Sequence, residues 1–265
     1  MAGIRIIHLI GQLGYGGSER QLFLLLEQAD YDHFEHHVVV FNPSPNRVFD
    51  EDLRFIGVHI WGLPGTRKGT TSRALFLHRL FRRLKPSIVH SWTVHDNPYA
   101  GIIGRLAGVP VRWGSLRGSP ELAGFRSLPR WLRELSLRSV ARIVVNSQSI
   151  QRLLLERGIA PRKIVVLENC VTHGEIPGRR QGKSLNLGEL GIGPEDRVVG
   201  AIGNLRRVKN HLLFVRSMAR VLPNHSNVKA IIVGQSLPSE AETEDDTGAT
   251  SDEGFDPGGE DKDSK

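Results

Sequence analysis

Residues 6–26 read IIHLIGQLGYGGSERQLFLLL. Ile6, Ile7, Leu9 and Ile10, with Ile4 ahead of them, make an apolar run suited to a buried strand. Four glycines follow, Gly11, Gly14, Gly16 and Gly17. Ser18 with Gln21 three residues on has capping-box spacing, and the Leu-rich run behind it predicts a helix. A strand, a Gly-rich turn and a helix N-terminus bring free backbone N–H groups to a positive dipole end. That combination favours an anion, and nucleotide phosphates are the usual one. Taken alone, the same loop also fits a tight connection that holds nothing, so the rest of the chain has to decide.

Outward from this stretch, apolar runs alternate with helical patterns. HHVVVFNP reads as a second strand and GVHIWGLP as a short third one. TTSRALFLHRLFRRLKP sets Leu77, Leu80, Phe81 and Leu84 on one helical face and stops at Pro86. SIVHSWT is a strand, NPYAGIIGRLAG a helix closed by Gly108, and VPVRWGSLRG a further strand. A basic, Trp-containing helix within SLPRWLRELSLRSVA, the strand ARIVVNS, the helix QSIQRLLLERG and the strand KIVVLENCV complete the series. Such alternation predicts an α/β fold with a parallel sheet covered on both faces. Residues 1–172 form the expected first domain, and the polar, Gly- and Pro-rich residues 173–195 a linker with one helical turn. Residues 196–236 hold one β-α-β unit, too small for an independent domain, and residues 237–265 read as a disordered acidic tail.

Of 265 residues, 39% are hydrophobic and 24% charged, a composition of globular type. Cys170 is the sole cysteine, which excludes an intramolecular disulfide and a cysteine-based zinc site and fits a reducing compartment. The N-terminus shows no signal-peptide pattern, and no run is long enough to span a membrane. Charge is unevenly spread. The chain carries +7 overall, with −9 between Ser239 and Lys265 and +16 in the remainder. A body this cationic attracts nucleotides, polyanions or anionic membrane surfaces.

Four segments, in order, resemble the family-4-type glycosyltransferases, enzymes of the GT-B fold with two facing Rossmann-like domains. GGSE is similar to the family's Gly-Gly-x-Glu turn after the first strand. KPSIVHSWTVHDNPYAGIIGRLAGVPV is similar to its strand-helix-strand around a Val-His pair and an AGVP turn. IVVNSQSIQRLLLERGIAPRKIVVLENCV looks like the segment that closes the N-terminal domain. VVGAIGNLRRVKNHLLFVRSMARV is similar to the Gly-x-Leu-x-x-x-Lys-Asn opening of the donor-binding domain. The resemblance spans about residues 3–236. It implies transfer of a sugar, with retention of configuration, from a nucleotide-diphosphate sugar to a glycan or lipid-linked acceptor. The donor is then a substrate, and neither a cofactor nor a metal is required. It also implies a cytoplasmic protein with peripheral contact to the inner membrane face and no nucleic-acid partner.

Glycosidic cleavage places charge on the leaving diphosphate, so cations and N–H groups aimed there stabilise the transition state. The resemblance assigns donor and phosphate contacts to Gly16, Gly17, Glu19, Arg206 and Lys209; the catalytic candidates are His95 and Asp96, at a strand C-terminal end, and Arg117. RRVK is otherwise a solvated surface turn. The chain departs from the family pattern at several points. Asn204 stands where many relatives carry arginine, Cys170 where the closing strand has glycine, and Arg117 near a sugar-contacting histidine. The Glu-x7-Glu element that contacts the donor is absent from the acidic end. A catalytically inactive remnant acting as a binding module is therefore the second expectation.

Other readings fit less well. Gly14-Tyr15-Gly16-Gly17-Ser18-Glu19 lacks the last glycine of a dinucleotide fingerprint, the second strand ends Phe41-Asn42-Pro43 without an acid, and no Walker lysine follows the turn. The eleven histidines, His90, His95 and the His36-His37 pair among them, show no metal-binding spacing and read as structural or solvent-facing. Arg130, Arg133, Arg138 and Arg142, interleaved with Trp131 and leucines, read as an ordinary helix packed on the sheet, with a membrane-surface helix as the alternative. No recognised nucleic-acid motif with stacking aromatics accompanies the positive charge.

Overall fold

The computed structural model describes residues 3–43, 48–63, 69–118, 130–171, 186–205 and 209–234. The chain divides into two units, Met1–Gly178 and Arg179–Lys265. The expected acidic tail, most of the expected linker and Arg206 lie outside the described residues.

The first unit alternates strand and helix. In order it contains β1 (Ile4–Ile10), α1 (Gly17–Glu27), β2 (Phe34–Val40), α2 (Asp50–Phe55), β3 (His59–Gly62), α3 (Thr70–Leu84) and β4 (Ile88–Ser91). A π turn at Tyr99–Ile103 then runs into α4 (Gly104–Leu106), followed by β5 (Val111–Leu116), α5 (Arg130–Arg138), β6 (Arg142–Val145), α6 (Gln148–Glu156) and β7 (Ile164–Val166). The seven strands are parallel, in the order β3-β2-β1-β4-β5-β6-β7. Every strand expected from the sequence is present, and the α/β reading with a parallel sheet holds.

Alternation along β1 explains how the sheet is covered. Ile7 and Leu9 join a cluster with Val39, Leu77, Phe81, Val89 and Ile143. Ile10, on the other face, joins Leu22, Phe23, Leu26, Val38, Leu53 and Trp92. Both faces are dry, so strands such as Ile143-Val144-Val145 need no polar alternation. Helix α2 escaped the sequence reading because six residues with two buried positions give no period. Asp50, Glu51 and Asp52 in its first turn suit the positive end of its dipole.

Helix α3 buries Leu77, Leu80 and Phe81 and ends at Lys85, whose left-handed backbone (φ 48°) precedes Pro86. Arg82 and Arg83 fill its last turn, where cations offset the negative end of the dipole. Helix α5 seats Leu137 in the core, and its Arg138 pairs with Glu134 at 2.8 Å, which fits the packed-helix reading. Helix α6 is capped by Ser147, whose hydroxyl accepts from the Ile150 N–H.

The second unit comprises β8 (Arg197–Ile202), α7 (His211–Val221) and β9 (Val228–Val233), preceded by a 3-10 turn at Leu187–Leu190. The two strands pair in parallel. Among its described residues only Ile192 and Met218 among the hydrophobics are buried, while Val198, Val199, Leu212, Leu213 and Val233 stay exposed.

One close approach in the first unit tests the packing. A Cβ on Gly101, inside the π turn, would lie 2.5 Å from the backbone carbonyl of Ser139 beyond α5. Nothing there is the free end of a side chain, so one of the two backbones would have to move. Gly101→Ala is expected to destabilise the protein by about 1–3 kcal/mol. Urea denaturation should show a lower midpoint with an unchanged slope.

Candidate functional site

The loop between β1 and α1 differs in one respect from the expectation. Gly16, not Ser18, is the N-cap of α1, with extended backbone and no side-chain cap, and Ser18 lies inside the first turn. The capping box does not form. Gln21 turns outward to Cys170 beyond β7: its Nε2 donates to the Cys170 carbonyl at 2.8 Å, and its Oε1 accepts the Cys170 N–H at 2.9 Å. The side-chain amide serves Cys170 as a neighbouring strand would.

The same device recurs in the middle of the sheet. Backbone pairing of β4 with β5 runs only as far as His90 and Trp113. Beyond it the buried Asn97 inserts its side chain. Asn97 Oδ1 accepts from the Ser115 N–H at 3.0 Å and from the Ser91 hydroxyl at 2.5 Å, while Nδ2 donates to the Ser115 carbonyl at 3.2 Å. The His90 ring Nε2 lies 2.9 Å from the Ser115 hydroxyl. All four residues are buried, so each unmade bond there would be costly.

Gly17 has open space where a Cβ would stand, but the carboxylate of Glu19 folds back over Gly16. A phosphate approaching Gly16 therefore meets Glu19 first. The loop after β4 carries His95, which is exposed, and Asp96, which is buried. The Thr93 hydroxyl donates to Asp96 Oδ2 at 2.6 Å, yet burial pushes the Asp96 carboxyl up to about 6, partly countered by that bond and by the positive charge of Arg73.

Arg117 follows β5 and lies over the fully buried Trp92, its guanidinium carbon 4.1 Å from the indole centroid. Its Nη1 reaches Asn169 Oδ1 at 3.5 Å, and its buried Nε has no partner among the described residues. Among the described residues no carboxylate pairs with it, and burial lowers it to about 10. A cation desolvated without an anion beside it attracts one from solution. Trp92 and Arg117 leave adjacent regions of the sheet at the carboxyl ends of β4 and β5, beside the point between β1 and β4 where strand order reverses. Ligands of open α/β sheets bind at such edges.

In the second unit, the stem of Lys209 packs over Gly203 at the end of β8, and its nearest stem carbon would lie 3.5 Å from a Cβ there. Asn210 caps α7 by accepting from the Leu213 N–H, and His211 Nε2 lies 3.1 Å from the Asn204 carbonyl. Lys209 thus sits at a strand end and a helix start, whereas its expected partner Arg206 lies outside the described residues. Of the expected residues, Asp96 is buried and Arg117 half-buried at the carboxyl edge of the sheet, while His95 is exposed. The sequence reading missed Trp92, Asn97 and Gln21. The HDNP turn was a partial signal for Asn97, since turn Asn side chains bond nearby backbone, but the backbone it takes here lies 18 residues away.

Among the described residues no three His, Cys, Asp or Glu side chains gather as a metal-holding group. A family model described as Glycosyltransferase Family 4 matches residues 15–175. EpsF of Bacillus subtilis (strain 168), named for a glycosyltransferase, is 21% identical over 239 residues, covering 87% of this chain and 62% of its own length. Three solved structures share the fold. HepE of Anabaena, solved with UDP-glucose, is 20% identical with a TM-score of 0.68, over 90% of this chain and 62% of that one. The lipopolysaccharide outer core galactosyltransferase WaaB is 15% identical with a TM-score of 0.54, over 91% and 71%. A UDP-GlcNAc 2-epimerase from Neisseria meningitidis bound to UDP-GlcNAc is 13% identical with a TM-score of 0.56, over 86% and 65%. The chain thus spans less than two thirds of the length of EpsF and HepE.

The state of Asp96 is measurable. Folded Asp96 keeps its proton up to about pH 6, whereas the unfolded residue loses it near the ordinary 3.8. Stability therefore falls as pH rises through that window and stays lower above it. Asp96→Asn keeps an acceptor for Thr93 without the buried charge. It is expected to match the wild type near pH 4 and to exceed it by about 2–3 kcal/mol at pH 7.5. Urea titrations at the two pH values check this.

Proposed function

Because the chain belongs to glycosyltransferase family 4, we propose that it binds a nucleotide-diphosphate sugar and serves transfer of that sugar to a glycan or lipid-linked acceptor, with retention of configuration. The observation that carries the reading is Arg117, a largely buried guanidinium with no carboxylate beside it among the described residues, at the carboxyl edge of a parallel sheet. A planar guanidinium suits phosphate oxygens, which it can hold with two parallel bonds. Lys209, at the start of an eleven-residue helix, adds a point charge where a dipole already favours an anion. In this reading Lys209 and Arg206 are cations of the second unit that serve the donor without a metal, and Arg117 anchors an anion in the first. Gly16 and Gly17 admit it along the backbone once Glu19 swings aside, and His95 and Asp96 face the sugar or acceptor. HepE, a structural neighbour solved with UDP-glucose, supports the donor class.

Residues 1–172 then act as the acceptor-side domain, 173–195 as the linker and 196–236 as the donor-side unit, with 237–265 as an acidic tail. A cytoplasmic protein touching the inner membrane face fits a lipid-linked acceptor, and no described helix is long and apolar enough to cross a membrane. One observation favours a second reading, a binding module without turnover: the donor-side unit has two strands and buries little among its described residues.

Titration calorimetry with UDP tests the proposal. Binding should be salt-sensitive, and Arg117→Ala and Lys209→Ala should each weaken it by about 1.5–3 kcal/mol. Unchanged affinity in both variants would place the anion site elsewhere. Release of free sugar from UDP-glucose by the purified chain would remove the binding-module reading, and the anomeric form of a transferred sugar, read by proton NMR, would decide retention.

A further inference from the structure

Beneath Arg117 lies a buried hydrogen-bonded chain that crosses three strands. The Trp92 indole Nε1 is 3.2 Å from Nδ1 of His8 on β1, and His8 Nε2 is 3.2 Å from Nδ1 of His36 on β2. All three side chains are buried, and His36 Nε2 has no partner among the described residues. An indole N–H can only donate, so His8 Nδ1 must be the bare nitrogen. His8 then carries its proton on Nε2 and gives that bond to His36 Nδ1, and His36 carries its own proton on Nε2. Each ring fixes the tautomer of the next, and both are neutral. Burial and the neighbouring histidines His36, His37 and His90 hold His8 in that state. The His8 and His36 rings stack, with centroids 5.4 Å apart, and His90 meets both His8 and Trp92 edgewise or tilted at 6.0 and 5.2 Å.

We infer that His8 is a positioning residue for the anion site: through its bare Nδ1 it fixes the plane of Trp92, and Trp92 in turn holds the Arg117 guanidinium over its face. The inference rests on the reading of Arg117 as an anion anchor. A guanidinium stacked on a fixed ring loses less freedom when it takes up a phosphate, so its affinity depends on the ring being held. His8 touches neither the ligand nor Arg117. It acts two residues away from the contact, and a buried aromatic of similar size cannot replace it because the indole N–H would then lack an acceptor.

The experiment uses the full chain labelled with nitrogen-15 and UDP as the probe. In the wild type, His8 Nδ1 should show the shift of a bare ring nitrogen, and a protonated Nδ1 would overturn the chain without any variant. His8→Phe should move the Trp92 indole N–H resonance and weaken UDP binding about tenfold. His8→Gln, whose amide can accept from Trp92 and donate to His36, should restore affinity to within about threefold of wild type. In an Arg117→Ala background, His8→Phe should cost nothing further. If Arg117→Ala weakens UDP binding while folded His8→Phe does not, or if Gln fails where Phe fails, the positioning role is wrong and the anion anchor stands. If Arg117→Ala binds UDP as the wild type does, the anchor reading itself falls.

Discussion

A parallel sheet runs out of backbone partners at its carboxyl edge, because every strand ends there in a loop. That edge is also where a ligand must be received. In this protein the side-chain amide of Asn97 meets the constraint at the centre. It takes the N–H and the carbonyl of Ser115 and the hydroxyl of Ser91, so that β4 and β5 stay joined after their ladder has ended. The fit is close. A Cβ on Gly114 would lie 2.6 Å from Asn97 Oδ1, so residue 114 has to be glycine for the amide to lie flat against β5. Trp92 leaves β4 on one side of this insertion and Arg117 leaves β5 on the other. Gln21 repeats the arrangement for Cys170 at the outer end, tying α1 to the segment beyond β7.

The electrostatics of the first unit follow from the same economy of partners. Two tryptophans donate to histidine Nδ1 atoms: Trp92 to His8, and Trp61 to His37 at 3.0 Å. The adjacent residues His36 and His37 point to opposite faces of β2, so the two systems stay separate. The His37 system ends on a charge. His37 Nε2 lies 2.7 Å from Glu35, and Glu35, also bound by Arg5, is held down to about 2. The His8 system ends on a buried nitrogen with no partner among the described residues. His90, pushed down to about 3 by burial and by Arg117, adds no positive charge to compete with the guanidinium.

Periodicity made the fold legible, because β1, β2 and β6 each carry an apolar run (Ile6-Ile7, Val38-Val39-Val40 and Ile143-Val144-Val145) and α3 and α6 carry one apolar stripe each. The order of four weak motifs made the family legible. The chemistry at the sheet edge was harder to read. Ser18 and Gln21 have capping-box spacing, yet Gly16 caps the helix two residues earlier and Gln21 is drawn to a backbone 149 residues away. No local rule anticipates that competitor. His8 and Trp92 lie 84 residues apart and meet only because β1 and β4 are neighbours. Arg117 and Asp96 were nameable from the sequence, but the packing that desolvates them, raising the Asp96 carboxyl to about 6 and leaving Arg117 without a carboxylate among the described residues, was not.

Strand order has a consequence for how the chain can be made. The first strand of this sheet, β1, ends in its interior, with β2 and β3 added outward on one side and β4, β5, β6 and β7 outward on the other. Each new strand therefore joins an open edge, and none has to be threaded between two that are already paired. A chain emerging from the ribosome can extend its sheet in the order in which the strands appear, and an unfinished intermediate exposes its growing edges while its centre is already closed.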